Sequence, residues 1–380
     1  MKRIAAALIA GLACAGAEDG AAPEPLALAA AIDSIDTPFT SPAWVQETQD
    51  GVLVIYDALD AGLVRMNPST RALEPISRVG RGPLEYRSVH RVLLGPGDSV
   101  WVLHTGGSRA IVLDASAKPV RDVTGPLRES IGMFPSGGVR GITASGDWIA
   151  GIREAQFAPA FQVKDSADIV RAIPESGAQD TLARAAGIPV YVVNTGAPHT
   201  IEAFTPYDAW GPFRDGRVIV VRANSYRVEV YEPDGRLVHE GQGPTGRVPI
   251  PLTRTDAERE RARLIESRRN TRVNPLAAQM GVSAANRPDP ILPDPLPSHW
   301  PLLRSNEIRV DWQERAWVHV RSTAEGQGAS RYDLFDRDGR YLKSIAIAAN
   351  ERLVGFDRAA LWIARGDDDG LQWLRRHPLP

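Results

Sequence analysis

Seven histidines, a single cysteine and a large set of arginines are the residues of this chain with chemistry to offer. His90, His199 and His299 fall at or near the starts of segments expected to run innermost in a radial array of small sheets. Innermost segments converge on one axis, so residues far apart in sequence can meet there. Three imidazoles at that point could ligate Zn²⁺ or another first-row metal; placed apart, they are histidines at loop–strand junctions. Arg140, on another innermost segment, would add a fixed cation for a carboxylate. The candidate ligand site is therefore His90, Arg140 and His299 at the mouth of a central channel. A register shift of one residue would turn each side chain to the opposite face. His104 and His319 lie on apolar segments and read as packed core histidines. Asp367-Asp368-Asp369-Gly370 and Asp336-Arg337-Asp338-Gly339 read as hairpin turns; calcium there would need oxygens from elsewhere. The chain carries no Ser-centred elbow, Walker loop or His-Glu-x-x-His helix, so no catalytic residue and no cofactor is identified.

The cysteine, Cys14, follows a basic start (Met1-Lys2-Arg3) and the apolar run Ile4–Ala13. That run is too short to span a bilayer, which takes about 20 residues, and reads as a signal peptide over residues 1–17 with the start of a tether. Gly11-Leu12-Ala13-Cys14 resembles a bacterial lipoprotein box, which implies lipid attachment at Cys14 and an extracytoplasmic protein held on a membrane by its lipid alone. Secretion after cleavage at Ala17 is the alternative. No other cysteine is present to form a disulfide.

The elements that must position these residues repeat. Gly51–Tyr56, Ser99–Leu103, Asp147–Ile152, Arg217–Val221, Ala316–Val320 and Ala360–Ala364 are short and mostly apolar, with Trp101, Trp148, Trp317 and Trp362 at matching places. Their starts recur about every 44 to 50 residues where nothing is inserted, a propeller-like period. A second echo follows: Asn67…Arg71…Leu73, Asp114…Lys118…Val120, Glu232…Arg236…Val238 and Asp336…Arg340…Leu342. Each reads as a tight hairpin between the third and outer strands of a blade. The pattern predicts an all-β fold, a six-bladed β-propeller over residues 26–380, with a helical and Pro-rich insertion (residues 245–299) between blades four and five. Thr255-Asp256-Ala257-Glu258 reads as a capping box opening a charged helix to about Arg269. The last blade holds only about three strands, so part of Leu26–Asp36 is expected to pair near Leu371–Arg376 and close the ring. A degenerate seventh blade in Phe157–Thr181 is the alternative. Arg78-Val79-Gly80-Arg81-Gly82-Pro83-Leu84-Glu85-Tyr86 resembles the Gly-x-Gly-Pro-Gly-Glu-Phe signature of bacterial six-bladed propellers related to NHL repeats. The resemblance implies a sharply bent loop whose aromatic plugs the gap between blades.

A formal net charge of −2 offers no field to draw in nucleic acid, and the 44 basic residues (four of them lysine) are offset by 46 acidic ones. The expectation is a monomeric, non-catalytic envelope propeller that binds or scaffolds an unidentified protein or small molecule. A propeller hydrolase or lyase with a metal or polar site at the channel is the second class.

Overall fold

The structure is a computed structural model that describes residues 24–60, 62–80, 82–86, 89–104, 109–127, 138–152, 155–156, 162–163, 166–187, 204–270, 289–322, 329–367 and 369–380. Cys14 and His199 lie outside these residues.

Each of the repeated apolar segments is the second strand of a four-stranded antiparallel meander. Such a strand is covered on both faces by neighbouring units, which is why it reads as a continuous apolar run rather than an alternation. Six meanders occur among the described residues, arranged as a β-propeller. Their innermost strands are Pro42–Glu47, Val89–Leu94, Gly138–Ile142, Ala209–Pro212, Leu303–Val310 and Glu351–Phe356. The third and outer strands of the third unit are Ser166–Ala172 and Gln179–Ala186, so the stretch that suggested a seventh blade completes this one. The hairpin echoes fall between third and outer strands. At Asp336, Oδ1 accepts from the backbone N–H groups of Asp338 (3.0 Å) and Arg340 (2.8 Å). Asp367 does the same for Asp369 and Leu371, so both acidic clusters are turns capped by their own side chains.

The core lies between units. Trp101, Trp148, Trp317 and Trp362 are 4%, 0%, 0% and 1% exposed. Trp317 and Trp362 each donate Nε1–H to the first turn of their own unit, at Asp311 and Asp357, both at 2.9 Å. The Arg78–Tyr86 loop carries its aromatic into the gap between the first two units. Tyr86 is 2% exposed, and its hydroxyl accepts from the Leu63 N–H at 2.9 Å. Leu84, which stands at a glycine position of the resembled signature, takes the left-handed backbone with φ 59°.

The ring closes through the N-terminal segment. Asp33 and Ser34 pair antiparallel with Arg376 and Arg375 of the last strand, Gln372–Pro378. A second attachment was not legible: Leu26 and Ala27 run parallel to Ile345 and Ala346 on the outer edge of unit five.

The helix of the insertion, α1, runs Arg254–Asn270. Its cap is shifted from the expected one. Thr253 Oγ accepts from the Asp256 N–H at 3.1 Å and donates to its carboxylate at 2.6 Å, so Thr253–Asp256 forms the box in place of Thr255–Glu258. Both pairs have the required spacing, and the winner is the one whose first residue precedes the helix. Ala257 and Leu264 pack with Phe204, Leu252 and Trp300 in a small cluster apart from the main core. No helix among the described residues is long and apolar enough to cross a membrane.

Candidate functional site at the central channel

The innermost strands crowd together on the axis. A Cβ on Gly211 would lie 2.4 Å from the Ile308 carbonyl oxygen, and one on Gly355 1.9 Å from that of Val45. Only glycine permits these approaches. Two pairs of innermost strands hydrogen-bond in parallel: Trp210 stands opposite Glu307, and Gly355 opposite Val45.

The pairing of first to second strands carries a β-bulge in five of the six units. In unit two Val89 faces His104 and Arg91 faces Leu103, leaving His90 as the extra residue. In unit three Val139 faces Ala150 and Gly141 faces Ile149, leaving Arg140. Unit five has the longest departure, between Leu303 and Ile308, and it contains Glu307. A bulge re-aims its extra side chain relative to the strand's alternation. Thus the imidazole, one of the cations and the carboxylate at the axis all come from bulges.

Arg140 and Glu307 line a cavity of about 120 Å³ with Trp44, Arg91 and Arg309, and His90 lies behind this lining, within the field of Arg91, Glu307 and Arg140. Arg91 Nη1 pairs with Glu307 Oε1 at 2.5 Å. Arg140 Nη1 donates to the carbonyls of Trp210 (2.9 Å) and Asn306 (2.5 Å), with its guanidinium 4.1 Å over the Trp210 ring. Arg309 stacks 4.4 Å over Trp44, and Arg91 lies 5.2 Å from the same ring. Arg91 Nε and Arg309 Nη1 are buried without hydrogen-bond partners. Burial opposes the Glu307 charge, but Arg91, Arg309 and Arg140 hold its carboxyl down to about 2. His90, with its ring against Gly138 of the next unit, is pushed down to about 4 by burial and by Arg91 and Arg140, Glu307 opposing. At neutral pH the cluster is three guanidinium cations, one carboxylate and a neutral imidazole: an excess of positive charge and spare N–H donors around a small space.

Of the residues singled out from the sequence, the fold brings Arg140 to this cavity and His90 close to Arg140 without lining it. It places His299 elsewhere, at the end of the insertion, where its backbone bridges to Pro251 and its Nδ1 meets Ser298 Oγ at 2.8 Å. His299 lines a second cavity, of about 890 Å³, that does not include His90 or Arg140. His104 and His319 are on second strands as expected. His319 stacks on Tyr332 at 4.6 Å, and burial first, with Arg304, Arg321 and Arg309, lowers it to about 3. Among the described residues no three His, Cys, Asp or Glu side chains gather as metal ligands. Sequence reading missed Glu307, Arg91, Arg309 and Trp44. A signal existed: an arginine recurs in four innermost strands, at Arg91, Arg140, Arg309 and Arg352.

No protein-family model and no curated protein sequence matches this chain. Among solved structures it resembles a candidate exported protein of Bacteroides fragilis (10% identity, covering 94% of this chain and 95% of that one, TM-score 0.44). It also resembles a member of the duf4221 family from Bacteroides vulgatus (9%, 91% and 96%, 0.43) and a gluconolactonase from Xanthomonas campestris (12%, 94% and 98%, 0.40).

Proposed function

We propose that the protein is a non-catalytic, extracytoplasmic, six-bladed binding propeller, lipid-anchored at Cys14, whose channel holds a small anion. One observation carries the reading: three arginines surround one carboxylate that only Arg91 bonds, in a cavity of about 120 Å³, with buried guanidinium nitrogens of Arg91 and Arg309 left without acceptors. A carboxylate, sulfate or phosphate oxygen supplies those acceptors and offsets the excess charge. Trp44, with both Arg91 and Arg309 against its ring, orients the guanidinium groups.

The test is thermal melting of the purified protein in chloride against sulfate, phosphate and acetate at matched ionic strength. At 100 times Kd a bound anion adds about 2.7 kcal/mol to stability, several degrees in Tm. Arg309→Met should remove the gain; equal melting in all salts, or a gain that survives in Arg309→Met, would sink the reading. For the anchor, Cys14→Ser should release the protein from membranes, and unchanged membrane association defeats that part.

An enzymatic reading, a hydrolase or lyase working at the same channel, draws on His90. Its imidazole is held neutral near Arg140 and Glu307 and is available at pH 7 only as a weak base. His90→Gln separates the two: binding alone survives it, and turnover would not.

A further inference from the structure

The second cavity lies between units four and five, under the inserted segment, and is walled by Phe204, Tyr226, Pro249, Trp300 and Arg321. Arg321 follows the second strand of unit five, and its backbone N–H is tied to the Leu302 carbonyl at 2.7 Å. Its guanidinium lies 4.3 Å over the Trp300 ring, and Nε donates to the Pro301 carbonyl at 3.2 Å. No carboxylate among the described residues pairs with it. The acid that could have served, Asp333, is fully buried and taken: it accepts from Tyr226, Arg247, Arg331 Nε (3.2 Å) and Ser344 Oγ (2.6 Å). Glu260 of α1 is engaged by Arg263 at 2.6 Å. Partial burial, with Arg304 nearby, lowers the Arg321 guanidinium to about 10, Glu260 and Tyr207 opposing from a distance without pairing to it. Two further buried donors, Trp300 Nε1 and Arg247 Nε, also lack partners.

We propose that this cleft is a binding site for an amphipathic carboxylate, an apolar or aromatic body lying along Phe204 and Trp300 with its carboxylate paired to Arg321. The reasons are size, polarity and charge. About 890 Å³ is the scale of a small-molecule site rather than of a single ion. The Phe204 and Trp300 rings stand 5.2 Å apart at a tilt and present an apolar wall. One unpaired guanidinium matches one carboxylate in bidentate geometry; a phosphate dianion would bring more charge than this cleft leaves unpaired. The inference does not rest on the channel reading, since the two cavities share no lining residue.

A carboxylate can come from a free organic acid or from a peptide C-terminus, and the test separates them. Calorimetric titrations would use phenylacetate, decanoate and a Phe-terminated tripeptide with free or amidated C-terminus, with phenylacetamide as the neutral match. The expected result is binding of at least one acid, weakened tenfold or more in its amide and in Arg321→Met, and partly kept in Arg321→Lys. Arg309→Met in the channel should leave it unchanged. Should Arg321→Met fail to fold, Trp300→Phe and the acid–amide comparison carry the test. Equal affinity for acid and amide, binding lost in Arg309→Met but kept in Arg321→Met, or no binding by any probe would each overturn the proposal.

Discussion

The channel and the insertion cleft treat buried arginine in opposite ways. In the channel, Arg91, Arg140 and Arg309 gather around Glu307, and every one of these residues stands in or beside a strand of the ring. In the cleft, Arg321 has an aromatic face and a carbonyl but no acid, and part of the wall belongs to an insertion outside the repeat. Repetition explains the difference. Strands that must close a ring bring their charges into fixed mutual distances, so one carboxylate, bonded by Arg91, offsets the field of several cations. A segment added beside one unit has no counterpart across the axis, so Arg321, the unit-five cation it covers, is left for something else.

Substitutions sharpen this contrast. Trp317→Ala, beside the Asp311 turn at one end of the channel, should lower stability by about 3–5 kcal/mol in urea unfolding. Trp300→Ala removes a similar side chain from a four-residue satellite cluster and should cost less; equal losses would mean the cleft is as integral to the ring as the channel. Glu307→Gln should cost about 3 kcal/mol, because it removes the partner of Arg91 and the negative charge that offsets Arg309 and Arg140. A loss under about 1 kcal/mol would show the arginines to be solvated. Acid should act next. His90, His104 and His319 have folded values of about 4, 4 and 3 against an ordinary 6.5, so between those limits the unfolded chain binds more protons. Stability is then full above pH 6.5 and falls as pH drops toward 4, at up to about 1.4 kcal/mol per pH unit for each histidine. His319→Gln should flatten that slope; an unchanged slope would mean His319 is already solvated. The smallest effect belongs to Arg321→Met. Losing its stack on Trp300 costs roughly 0.5–1 kcal/mol, and removing a partly buried cation with no paired acid returns a similar amount, so the net change should stay within about 1 kcal/mol. A loss as large as that of Glu307→Gln would reveal a hidden acidic partner.

How much was legible follows from where the constraint acts. Second strands are buried on both faces, so Val100–His104 and Ala316–Val320 announced themselves as apolar runs. The outer hairpins were legible because Asp and Gly at a tight turn have local reasons to be there. The closing strand followed from the need to pair an edge, and Asp33–Ser34 meets it. The channel was half legible. Convergence on the axis brought His90 and Arg140 together, but the alternation of a strand cannot say which way a bulged residue points, and Glu307 sits inside the longest bulge. His299 lies away from the channel because nearness in sequence to a first strand does not make a residue part of it, and the chain there still belongs to the insertion. The two-residue strand Leu26–Ala27 is too short to leave any periodic signature.

Asp33 and Ser34 leave the ribosome before any blade exists, and their partners Arg375 and Arg376 emerge after all the others are made. Each unit can assemble its own meander as it appears, because consecutive strands pair as hairpins. The sixth cannot: its outer edge is filled only by chain made at the start. Until then the array is an open arc, with Pro42–Glu47 at one end lacking its parallel neighbour Glu351–Phe356. Translation order therefore makes closure the final event of folding, and a chain stopped short of Glu351 would keep all its earlier hairpins while remaining an unclosed, association-prone arc.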